Sequence, residues 1–221
     1  MDWIKQLILE NCKGDSFFDV FGGTGAVTNA MINSYSKYIL NDFLYSNEII
    51  YKAFFMQKYY DKEKLVKIKD MYNAIVVDNI NENYVSENFG DKFFRHEDAK
   101  LIGFIREDIN KKYNEKLISD KEYSILLASL LYSLDRCANT VGHYDAYIKG
   151  KEIKGEFIFD LIQPIKLDNK KKIDIFREDA NILVKSINAD IAFIDPPYNS
   201  RQYSRFYHVL ENITKWEKPS L

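Results

Sequence analysis

One stretch near the amino terminus restricts the fold more than any other. In residues 16–25, SFFDVFGGTG, a short apolar run ends at an acid, meets three glycines within four positions and gives way to a helix-compatible run over 26–34. Strand, tight turn, helix is the opening of a parallel βαβ unit. A second short apolar run, 38–40, closes at Asn41-Asp42 and supplies the next strand, with the helix as the crossover between them.

Glycines at such a turn let the backbone approach a ligand, and the helix that follows presents free amide groups to it. The spacing is G-x-x-G (Gly22, Gly25) and G-x-G (Gly23, Gly25), short of the G-x-G-x-x-G pyrophosphate fingerprint. A ligand smaller than a dinucleotide is therefore expected. Asp19, just before the turn, can accept from an amino group, and Asp42 falls where a ribose-binding carboxylate is expected.

From Phe43 to about Tyr147 the pattern changes to long helical periods, and no proline precedes Pro164. Ser119 and Glu122 form a capping box, after which Leu126, Leu127, Leu130, Leu131 and Leu134 share one helix face. Near Lys170, Lys171 and Lys172 the α/β pattern resumes. Residues 173–176 read as a strand closed by Arg177-Glu178-Asp179, and 190–194 as a buried strand closed by Asp195-Pro196-Pro197-Tyr198. The expected division is an α/β core of 1–42 and 170–221 around a mainly helical insert of 43–169.

Composition narrows the function classes. The 221 residues are 46% hydrophobic and 15% aromatic, which excludes a mainly disordered chain. Lys and Arg number 31 against 33 acids, a net charge of −2, so any nucleic-acid surface must be a local patch rather than bulk charge. Two cysteines and three scattered histidines make neither a disulfide framework nor a four-ligand zinc site. No apolar run reaches the ~18 residues of a membrane span, and the first residues do not form a signal peptide. The expected location is the cytoplasm, without membrane association.

The Asp195-Pro196-Pro197-Tyr198 turn carries its own chemistry. Two prolines lock an extended backbone and remove two amide donors, leaving carbonyls free to accept. Asp195 adds a carboxylate and Tyr198 an aromatic face, at the carboxyl end of a parallel strand where α/β sheets bind ligands. That set suits a planar amine. Its exocyclic amino group would donate to Asp195 and the Pro196 carbonyl, its ring would stack on Tyr198, and its nitrogen lone pair would be free to attack an electrophile.

With both turns in place, Phe21-Gly22-Gly23-Thr24-Gly25 and Asp195-Pro196-Pro197-Tyr198, the chain resembles the S-adenosylmethionine-dependent, adenine-specific DNA methyltransferases. The order, glycine turn first and catalytic turn second with a long insert between, is similar to the Dam-like group. Residues 199–204 (NSRQYS), 207–211 (YHVLE) and 138–144 (ANTVGHY) resemble a subgroup of type II modification methylases. The first turn reads FGGTG where the family form is F-x-G-x-G, which it satisfies with Gly22 as x.

The resemblance implies a Rossmann-like class I methyltransferase sheet with a helical insert, which either faces DNA or merely packs. It implies that Asp19, Phe21, Gly22, Gly23 and Gly25 wrap the methionine end of S-adenosylmethionine, that Asp42 holds its ribose and that Asp179 accepts from its adenine. The target adenine would be flipped from the duplex and clamped by Asp195, Pro196, Pro197 and Tyr198, with no metal in the chemistry. Arg201 and Arg205, interleaved with Tyr203, Phe206 and Tyr207, are the expected DNA contacts. Partners would be double-stranded DNA, a cognate restriction endonuclease and a complementing methylase fragment. The last enters because sheets of this kind carry about seven strands and four are found, which leads to the expectation of a truncated or split chain. The competing readings are a silent DNA- or cofactor-binding remnant and an amino-methyltransferase acting on cytosine N4, RNA or a protein glutamine.

Overall fold

The computed structural model describes residues 1–150, 152–168, 170–197 and 206–220. They form two compact units, each with its own core.

The first unit gathers Met1–Gln57 and the chain from Pro164 through the fourth strand. Its sheet contains β1 (Ser16–Asp19), β2 (Lys37–Asn41), β3 (Lys172–Phe176) and β4 (Ile191–Phe193) in the order β3-β2-β1-β4, with every pairing parallel. Helices α1 (Asp2–Asn11), α2 (Ala26–Met31) and α3 (Tyr45–Phe55) belong to this unit, and α8 (Ala180–Leu183) follows β3. Parallel strands covered on both faces read as continuous apolar runs, and β1 and β2 do: Phe17, Phe18, Tyr38, Ile39 and Leu40 are all buried. Phe17 stacks on Tyr35 at a centroid distance of 5.5 Å, and the Tyr38 hydroxyl donates to the Met31 carbonyl at 2.7 Å. On the other face Phe18, Val20 and Ile39 pack with Ala180 and Leu183.

The fourth strand departs from the sequence-based expectation of burial. Ile191 is buried, whereas Ala192 is exposed and Ile194 is 64% exposed. β4 pairs only with β1 among the described residues, so apolar content alone overstated its cover. Its start is fixed by Asp190, whose carboxylate accepts from the amides of Asp15 and Ser16 and from the Ser16 hydroxyl, bonds that hold it below the usual carboxylate range.

The first unit ends at Gln57 and resumes at Pro164, not at 42 and 170, and residues 206–220 belong to the second unit although 170–221 is expected in the core. Helix α3 stays with the sheet because its inner face, Ile50, Tyr51, Ala53 and Phe55, is buried there, and the Ile165 amide donates to the Phe54 carbonyl at 3.0 Å.

The second unit is mainly helical: α4 (Lys62–Asn73), α5 (Tyr84–Phe89), α6 (His96–Asn114), α7 (Asp120–Cys137) and, after the residues outside the description, α9 (His208–Lys215). The Ser119 capping box is present, and the leucines expected on one face of α7 are buried. Glu122 also accepts from the Asp61 amide at 2.9 Å and Lys64 Nζ at 2.6 Å, so one carboxylate joins the starts of α4 and α7. Arg106, 1% exposed, donates to the Ile213 and Thr214 carbonyls and caps the end of α9. No helix among the described residues is long and apolar enough to cross a membrane.

Candidate active site at the carboxyl edge of the sheet

The chain runs β1, β2, β3 outward in one direction and then places β4 on the opposite side of β1. The reversal between β1 and β4 is a topological switch point, where open α/β sheets bind their ligands beyond the strand carboxyl ends. Register sets the two turns side by side there: Asp19 pairs with Phe193, and the Val20 amide donates to the Phe193 carbonyl at 3.1 Å. The glycine turn thus leaves β1 at the level from which Ile194, Asp195, Pro196 and Pro197 leave β4. Asp195, Pro196 and Pro197 are exposed. Tyr198, Arg201, Tyr203 and Arg205 lie outside the described residues.

Asp19 is 1% exposed, with Oδ2 accepting from the Thr28 hydroxyl at 2.8 Å and Oδ1 buried with no partner among the described residues. Burial pushes its pKa up to about 6, Thr28 opposes the shift, and the charges of Asp42 and Asp195 add to it. The turn beyond is built on left-handed backbone at Gly23 (φ 54°) and Gly25 (φ 79°), which residues with a side chain adopt only under strain. Among the described residues nothing lies within 4 Å of where a Cβ on Gly23 would stand, so the turn presents bare backbone to open space. Phe21 is different from its neighbours: its ring packs against the Phe18, Val20 and Leu183 core.

Asp42 closes the turn from the next strand. Its Oδ2 accepts from the Gly23 amide at 3.0 Å and its Oδ1 from the Leu44 amide at 2.9 Å. Asp179 sits where β3 ends, exposed, with Oδ1 capping α8 through the Asn181 amide at 2.8 Å.

Sequence reasoning missed three contributors. Thr28 lies on the buried face of α2, and its only signal was a hydroxyl residue at an otherwise apolar helical position. Phe43, 71% exposed immediately after Asp42, offers an aromatic face at the strand end. Tyr51 on α3 donates its hydroxyl to the Gly23 carbonyl at 2.7 Å, and a Cβ on Gly22 would stand 2.7 Å from that same hydroxyl. Burial raises the Tyr51 pKa well above its ordinary value, so the hydroxyl remains a donor. Tyr51→Phe is expected to cost about 1–3 kcal/mol, because the Gly23 carbonyl loses its partner while the ring still fits. Thermal melts of the two proteins check the figure.

All of residues 1–221 match the family of D12 class N6 adenine-specific DNA methyltransferases. The chain is 32% identical to modification methylase LlaI of Lactococcus lactis subsp. lactis, over 100% of this chain and 38% of that protein. It is equally 32% identical to modification methylase StsI of Streptococcus sanguinis, over 99% of this chain and 35% of the relative. Type II methyltransferase M.FokI of Planomicrobium okeanokoites also matches at 32%, over 100% of this chain and 36% of its own length. The chain therefore spans little more than a third of these relatives. With the match running from the first residue to the last, and both turns standing at one sheet edge, the chain belongs to the D12 class N6 adenine-specific DNA methyltransferase family.

Proposed function

We propose that this chain is the catalytic core of a site-specific methyltransferase, moving a methyl group from S-adenosylmethionine to the N6 amino group of adenine in duplex DNA within a restriction-modification system. The observation that carries the reading is the register at the switch point, which brings an acid-glycine turn and an Asp-Pro-Pro turn to one edge.

The residues present fit the cofactor. Asp19 Oδ1, buried and unpartnered beside a glycine turn, suits an ammonium such as that of a methionine moiety. The open face at Gly23 admits the chain that links sulfur to ribose. Asp42, already oriented by two backbone amides, is placed to accept from ribose hydroxyls, Phe43 to lie against the purine, and Asp179 to accept from the purine amino group. When bound, the cofactor supplies an electrophilic methyl on a sulfonium.

The protein's part is to hold the acceptor. Asp195 and the Pro196 carbonyl take hydrogen bonds from the flipped adenine's amino group, keeping its lone pair toward the methyl, and Tyr198 supplies a stacking face. Positioning and desolvation provide the rate, and the N6 proton leaves to Asp195 or to solvent after transfer. Arg201, Tyr203 and Arg205 contact the DNA in this reading. A cognate endonuclease recognises the same sequence.

Two measurements test the proposal. Radiolabelled methyl transfer to duplex DNA, with digestion to nucleosides, should yield N6-methyladenine, whereas label in cytosine, RNA or protein glutamine would replace the adenine assignment. In calorimetry, Asp42→Ala should weaken S-adenosylmethionine binding about 10–100-fold, the loss of charge-assisted bonds of about 1.5–3 kcal/mol. Undiminished binding would remove Asp42 from the site.

A further inference from the structure

We propose that Asn41 is the positioning residue that sets the adenine-reading part of this site, by tying three separate strand exits into one rigid edge. The inference rests on the cofactor reading above and deepens it.

Asn41 is the last residue of β2 and is 1% exposed. Parallel strands lose their ladder as they leave a sheet, and β1, β2 and β3 each leave theirs at this point. The Asn41 side chain takes over where the ladder stops. Its Oδ1 accepts from the Glu178 amide at 3.0 Å and its Nδ2 donates to the Glu178 carbonyl at 3.1 Å, so the primary amide pairs with the β3 exit as another peptide group would. The same Nδ2 donates to the Val20 carbonyl at 3.2 Å on the β1 exit. Its main-chain carbonyl accepts from the Gly22 amide at 2.9 Å.

Each bonded residue is a sequence neighbour of one proposed to touch the cofactor: Glu178 precedes Asp179, Val20 and Gly22 flank Phe21, and Asn41 itself precedes Asp42. One buried amide thus fixes the spacing between the acid that reads the purine, the acid that holds the ribose and the glycine turn. Only a side chain with both a donor and an acceptor on one planar group meets this geometry, and neither aspartate nor leucine does. The functional consequence is selectivity. With Asn41 intact, Asp179 is held where it distinguishes a purine 6-amino group from a 6-oxo group. Without it, the β3 exit drifts relative to β2 and that distinction fades.

The test is calorimetric titration of the 221-residue chain and of Asn41→Leu and Asn41→Ser with S-adenosylhomocysteine and S-inosylhomocysteine, which differ at the purine 6-position. Two variants are used because a buried polar-to-apolar change can prevent folding, and circular dichroism identifies the folded ones. The unsubstituted chain should prefer the adenosyl ligand by about tenfold or more. The folded variants should lose most of that preference, the ratio approaching one. A variant that binds both ligands more weakly but keeps the ratio would overturn the inference, since a purely structural role lowers both affinities together. Failure of the unsubstituted chain to bind either ligand would instead remove the cofactor reading, and this inference with it.

Discussion

Asp195→Ala is expected to lower methyl transfer by about 10²–10³-fold, the usual loss when one preorganised partner of the reacting group is removed. S-adenosylmethionine affinity should stay within about twofold. The separation follows from position. Asp195 is exposed beyond β4, outside the buried core, and its removal should change stability by no more than about 0.5 kcal/mol. The glycine turn, Asp42 and Asp179 project from β1, β2 and β3 and keep their own hydrogen bonds. On the proposed reading, the variant loses the carboxylate that orients the adenine amino group. The rate at saturating cofactor and DNA should therefore fall, rather than the cofactor KM rise. Asp195→Asn keeps one acceptor oxygen and should fall less, by about tenfold. Rates within a few-fold of the unsubstituted chain for the alanine variant, read by single-turnover transfer to duplex DNA, would remove Asp195 from the clamp.

How much of this was legible beforehand divides along a physical line. Strand ends are written locally. An apolar run that stops at an acid or a glycine turn gave β1, β2 and β3 within a residue, and the Ser119–Glu122 box marked the start of α7 because capping depends on residues three apart. The acids at the strand ends could be named for the same reason. What stayed hidden depends on residues distant in the chain. Tyr51 reads as one more aromatic on an amphipathic helix until α3 is docked and its hydroxyl meets Gly23. Asn41 reads as a polar strand terminus, since nothing local shows that Glu178, far along the chain, will return beside it. Phe21 reads as part of the glycine motif, yet its ring belongs to the core under α8. The pattern sets the unit boundary at 42 because helix α3 is helical like the residues after it, and only packing shows that it covers the sheet.

Asp19→Asn should make the ligand-free chain more stable at neutral pH while weakening it as a cofactor binder. The carboxyl is raised to about 6 from an unfolded value near 3.8, chiefly by burial. Between those values the folded state keeps a proton that the unfolded state has released, so unfolding free energy falls as pH rises from about 4 to 6. By about pH 7 the buried charge is almost fully present, at a cost of about 3 kcal/mol for the two-unit displacement. The asparagine variant has no such slope. It can still accept from Thr28, but its amide nitrogen inherits the unpartnered position of Oδ1 and forfeits about 1 kcal/mol or more. A net gain of about 1–2 kcal/mol is expected at pH 7, seen as a rise of several degrees in Tm that disappears near pH 4. Cofactor binding should move the other way, because an ammonium beside Oδ1 favours the ionised carboxylate that asparagine lacks. At pH 6 the unsubstituted chain should release a fraction of a proton on binding S-adenosylmethionine, measurable as a dependence of binding heat on buffer ionisation enthalpy, and Asp19→Asn should abolish it. A variant that binds undiminished would place the ammonium elsewhere. One that is less stable at pH 7 would show that Asp19 is carried for the fold rather than held, at a cost in stability, for its ligand.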